Sequence, residues 1–94
     1  MHDNYLSKFN RVLEEALAIT TKKHNDYGNS TWNKYGLKMR FADIWRKFAR
    51  LESLVWNNNK AMVKDESVRD TLLDLLVYSV MAIMVYDEEA NRNE

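Results

Sequence analysis

The chain has 94 residues, with fourteen Lys and Arg balanced by fourteen Asp and Glu, no cysteine, no proline and two glycines. That length holds one domain, residues 1–94, and the missing thiols exclude disulfides and thiolate metal sites as reinforcement. Charge balance argues against a duplex nucleic-acid binder, which carries a basic excess, yet leaves room for a small anionic ligand held by two or three cations. Met1 to Asn10 is polar and mixed, without the apolar run of a secretory leader. The longest apolar stretch, Thr71 to Tyr86, is short for a membrane span and contains Asp74. A cytoplasmic protein that does not enter the membrane is therefore expected.

The first helix is predicted from about Asp3 to Lys23. Tyr5, Phe9, Val12, Leu13, Ala16, Leu17 and Ile19 recur at three- and four-residue steps, which places them on one face. Asp3 or Asn4 can cap its start, and Lys22, Lys23 and His24 suit the negative end of its dipole.

Asn25 to Lys38 is the one extended break. It contains both glycines, Gly28 and Gly36, with Tyr27, Trp32 and Tyr35 set among polar residues. Loops of this length inside compact domains are often functional.

The second helix is predicted from roughly Arg40 to Asn57. Phe41, Ile44, Trp45, Phe48, Leu51 and Val55 form its apolar face, and Glu52 projects within about 20° of Phe41. Asp43, Lys47 and Arg50 share a flanking stripe, where Asp43 and Lys47 have the spacing of an ordinary surface pair. Asn57-Asn58-Asn59 ends the helix.

The third helix is expected to start at Asp65, a good cap, and is apolar almost all round from Val68 to Tyr86. A helix without a polar face must be covered on every side, which two partner helices of one chain cannot easily do. The fold expected is all-α: three helices in a bundle completed by homo-oligomerisation. Asp87 to Glu94 reads as a frayed polar tail.

Asp74 is the most informative position. A carboxylate between Leu73 and Leu75 has to meet a cation, a metal or strong donors, because leaving it unpaired costs several kcal/mol. Asp70 and Tyr78 stand one turn either side of it. With Glu52, the two aspartates offer oxygen ligands for a hard cation such as Mg²⁺. An internal ion-pair network with Arg46, Lys47, Arg50 or Arg69 accounts for the same residues. Lys47 and Arg50 suit phosphate, by point charge and by paired donors. Tyr27 and Trp32 can stack on a base, although loop aromatics also fold back onto cores. His24 has no second histidine at ligand spacing, and no glycine-rich phosphate loop or nucleophile elbow is present.

Three strings in order, Lys23-His24-Asn25-Asp26-Tyr27-Gly28, Lys47-x-x-Arg50-Leu51 and Asp70-Thr71-Leu72-Leu73-Asp74, resemble the nucleotide modification associated domain 1 family of small proteins found largely in phages and prophages. The resemblance covers about Lys23 to Tyr86. Its helix order is also similar to the all-α nucleoside triphosphate pyrophosphohydrolases related to MazG and the dimeric dUTPases, whose E-x-x-E and E-x-x-D motifs bind Mg²⁺. Here a single inward-facing acid, Glu52, stands on the second helix, and Asp70 and Asp74 are four residues apart, not three. Fewer carboxylates weaken metal-assisted hydrolysis.

Three readings follow, the third being a purely structural or protein-binding helical module. In the first, an oligomeric phage-type protein binds a nucleotide or nucleotide-derived messenger, in one version to sequester it in counter-defence. Lys23, Lys47 and Arg50 would meet phosphate, Tyr27 or Trp32 would stack on the base, and Asp26, Asp70, Asp74 and Tyr78 would line the site. The second is a Mg²⁺-dependent triphosphate pyrophosphohydrolase with Glu52, Asp70 and Asp74 as metal ligands.

Overall fold

In the computed structural model the described residues are 2–27, 33–59 and 67–92, and among them all regular structure is helical. Among the described residues there are three helices: α1 (His2–Tyr27), α2 (Gly36–Leu51), which runs on into a π-helical turn at Glu52–Trp56, and α3 (Val68–Arg92). None is long and apolar enough to cross a membrane. The chain forms two compact units, Met1–Thr31 and Trp32–Glu94.

The first unit is α1. It runs through Asn25, Asp26 and Tyr27, beyond the Lys23 expected, because nothing before Gly28 breaks a helix. Its apolar stripe keeps the expected spacing, and Tyr5 and Phe9, one turn apart, stack at 6.4 Å. Tyr5, Phe9 and Leu17 nevertheless lie exposed.

The second unit is an antiparallel pair, α2 against α3. The N-terminal end of α2 meets Glu88 and Glu89 of α3, its middle meets Tyr78 and Met81, and Lys47 meets Asp74. The segment read as a long break is shorter than expected, since α2 begins at Gly36, four residues before Arg40. The cause lies on α3. Glu89 Oε1 accepts the Leu37 N–H at 3.2 Å, so an anion from the far end of the chain caps α2 at its positive pole. Asn33 donates its side-chain amide to Glu88 at 3.1 Å, and Arg92 pairs with the same carboxylate at 3.3 Å. The expected frayed tail is therefore helical to Arg92 and holds the turn at residues 33–35.

Asp65 lies outside the described residues. The start of α3 is capped by Ser67: its Oγ accepts the Asp70 N–H at 3.1 Å and donates to the Asp70 carboxylate at 2.8 Å. This reciprocal pair satisfies a backbone donor that would otherwise be orphaned at the helix start. Ser67→Ala should lower stability by about 1 kcal/mol, read as a fall of roughly 4–8 °C in melting temperature by circular dichroism. An unchanged melting curve would show the cap to be idle.

The inner face of α2 is not the one its apolar periodicity suggests. Ile44 and Leu51 are half-buried, but so are Arg40, Asp43, Lys47 and Arg50, whereas Phe41, Trp45, Phe48, Val55 and Glu52 are exposed. Lys47 sits roughly 120° round the helix from Phe41, so the charged stripe and the aromatic stripe cannot both face α3. The charged one does. On α3, Leu73 and Val85 are buried, and Thr71 is buried with its hydroxyl donating to the Ser67 carbonyl at 2.8 Å.

The helical path changes at Glu52. The Asn57 N–H bonds to the Glu52 carbonyl at 3.0 Å, five residues back, and Asn58 follows at φ 55. Asparagine tolerates that left-handed conformation, so the Asn57–Asn59 run stops the helix as its composition suggests.

Candidate functional site

The polar groups of α2 and α3 meet in a seam. At its centre Lys47 Nζ lies 3.0 Å from Asp74 Oδ2, with the lysine side chain 19% and the aspartate 32% exposed. This contact answers the question Asp74 raises: of the cations the sequence offers, Lys47 neutralises it. The seam is partly wet.

Two turns earlier on α2, Arg40 lies over the Tyr78 ring, 5.8 Å from its centroid, with Nη1 donating to Met81 Sδ at 3.7 Å and lying 3.5 Å from Asp43. Its side chain is 12% exposed, and no acceptor among the described residues reaches its buried Nε. The sequence reading passed over Arg40. The signal was its position seven residues before Lys47, which puts both on one helical stripe.

Asp43 pairs with Arg46 at 3.1 Å and with Arg40, not with Lys47 as its four-residue spacing suggests. Lys47 is drawn across to α3 instead. Arg50, one turn beyond Lys47, is half-buried, with Nε and Nη2 shielded from solvent. Two cations, Arg40 and Lys47, thus meet α3 directly, and Arg50 is half-buried one turn beyond them on α2.

Of the other residues singled out, Tyr78 is half-buried within the seam, while Asp70 is exposed and engaged by Ser67. Lys23 is exposed on α1, in the other unit. Asp26 and Tyr27 belong to the last turn of α1; their side chains, like Trp32 as a whole, lie outside the described residues.

The proposed Mg²⁺ ligands do not converge. Among the described residues no three His, Cys, Asp or Glu side chains gather where they could hold a metal ion. Glu52 points to solvent from the π-helical turn, Asp70 is held by Ser67 and Asp74 by Lys47. This arrangement does not fit a three-carboxylate metal centre.

The sequence pattern of the nucleotide modification associated domain 1 family matches residues 23–85. The chain belongs to that family. No curated protein and no solved structure gives a significant match. The nucleotide modification associated domain 1 match spans Arg40, Lys47, Arg50 and Asp74, so the Lys47–Asp74 pair falls within the part of the chain that defines the family.

Proposed function

We propose that this protein binds a nucleotide or nucleotide-derived ligand through the α2–α3 seam and holds it without cleaving it. The observation that carries the reading is the Lys47–Asp74 pair at 3.0 Å, flanked along α2 by Arg40 and Arg50. Ion pairs of this kind add little to folding, and apolar side chains of equal size serve packing as well or better. A row of cations kept against α3, while aromatic rings are left outside, is better accounted for by an anionic ligand than by stability.

In this reading Lys47 supplies a mobile point charge to a phosphate, and Arg50 adds positive charge from the next turn. Asp74 orients the ammonium group until the ligand arrives, and Tyr78 gives the seam an aromatic wall. The protein acts as a homo-oligomer in the cytoplasm, and one form of the proposal is sequestration of a cyclic or ADP-ribose-type messenger in counter-defence. Among the described residues the carboxylates do not gather in a set of three, so hydrolysis draws no support from Glu52, Asp70 and Asp74.

A panel of mono-, di-, tri- and cyclic nucleotides, read by thermal shift, tests the proposal. A ligand at about a hundredfold its dissociation constant adds roughly 2.7 kcal/mol, a rise on the order of 10 °C for a chain of this size. A panel in which no member moves the melting temperature would refute binding. Release of phosphate or pyrophosphate over many turnovers with Mg²⁺ present would overturn the non-cleaving reading in favour of a pyrophosphohydrolase.

A further inference from the structure

Two rungs cross the α2–α3 seam, and only one of them is closed by a carboxylate of α3. At the first, Lys47 meets Asp74 at 3.0 Å. At the second, two turns earlier on α2, the Arg40 guanidinium lies over the Tyr78 ring and finds surroundings poor in acceptors. Its Nη1 donates to the Met81 thioether at 3.7 Å and stands 3.5 Å from Asp43 Oδ2. Asp43 is itself engaged by Arg46 at 3.1 Å, and among the described residues no acceptor reaches Arg40 Nε. An arginine presents five donors in one rigid plane, and a thioether is a weak acceptor. Most of the hydrogen-bonding capacity of this group is therefore unspent, and the group is not fully enclosed.

Given nucleotide binding at the seam, we infer that Arg40 reads the base and that the base it selects is guanine. With a phosphate at Lys47, the second rung is where the base falls. Asp74 and Tyr78 are four residues apart on α3, about 6 Å along the helix, and Arg40 and Lys47 seven apart on α2, about 10 Å. Phosphate and base of one nucleotide, joined through a single ribose, stand apart by the same order of distance. Contacts to phosphate position a ligand but carry no information about its base, which only the base edge supplies. The second rung offers that edge a planar group that donates and never accepts. Guanine presents two adjacent acceptors, O6 and N7, which a guanidinium meets with paired donors. Adenine puts an amine beside its N7, so one of the same donors would face another donor. Tyr78 adds a ring face to this end of the seam, against which a flat base can lie.

Nucleotides matched in phosphate number and differing only in base (guanine, adenine, cytosine or uracil) test it by titration calorimetry on the whole chain, well below its melting temperature. The guanine member should bind about 10- to 100-fold more tightly than the adenine member, the range that one paired arginine–base contact gives. Arg40→Gln should abolish that preference and move it toward adenine, which glutamine meets with one donor and one acceptor. Lys47→Met should weaken all four alike and leave their ratio as in the wild type. A packing role alone would lower stability without moving a ratio of affinities taken on folded protein. Equal affinities for the four bases, or a preference for another base, overturn the inference while nucleotide binding stands. A guanine preference that Arg40→Gln keeps overturns it too, and binding of none of the four overturns both. Should Arg40→Gln fail to fold, Arg40→Lys, which keeps the charge without the planar fork, takes its place and should lose the preference equally.

Discussion

Lys47→Met is expected to lower nucleotide affinity by about 10- to 100-fold, because a charge-assisted contact to phosphate contributes on the order of 1.5–3 kcal/mol. The same change leaves the Asp74 carboxylate, 32% exposed, without its 3.0 Å partner. Solvent reaches the group, so the expected loss of stability is only about 1–2 kcal/mol, well below that of a fully buried pair. Replacing both residues, Lys47→Met with Asp74→Leu, separates the two effects. The double variant should regain the melting temperature, since no unpaired charge remains, while its affinity stays as low as that of Lys47→Met. Titration calorimetry beside thermal melts reads both quantities. A double variant that regains stability and binds nucleotide like the wild type would place the site elsewhere.

Gly36→Val should destabilise the second unit by about 2–3 kcal/mol, a fall on the order of 10 °C in melting temperature. Gly36 has φ +73, and a side chain in that left-handed region costs about 1–2 kcal/mol, more when branched at Cβ. A Cβ there would also stand 2.9 Å from Glu89 Oε1, the group that accepts the Leu37 N–H. Displacing that carboxylate uncaps α2 and loosens the ends of the two helices together. Glu89→Ala relieves the contact but removes the cap, so it should not rescue Gly36→Val. Rescue by Glu89→Ala would show that the steric contact alone matters. Gly36→Ala, with a smaller side chain at the same φ, should fall between wild type and Gly36→Val.

Much of the helical layout was legible from composition. With no proline and with both glycines between residues 28 and 36, uninterrupted helices could be placed on either side of one break. The limits of that break were not legible, because α2 starts where Glu89 caps it, and no local signal in residues 33–37 reports an acid more than fifty positions away. The same holds for residues 87–92, polar enough to look frayed but held by Asn33 and Leu37. Asp74 was legible as a group in need of a partner. Which cation would serve was not, since Arg46, Lys47, Arg50 and Arg69 all lay within plausible reach along the sequence.

By itself, then, the sequence determined that the chain is helical and that Asp74 needs a partner. Periodicity tells which side chains share a face, because 100° per residue is a local property of the backbone. It does not tell which face meets which neighbour. Only the tertiary structure decided that α2 turns Arg40 and Lys47 toward α3 and leaves Phe41, Trp45 and Phe48 exposed. The reason is pairing across the seam: Asp74 and the Tyr78 ring offer the cations partners on α3, while the aromatic stripe needs only to be covered.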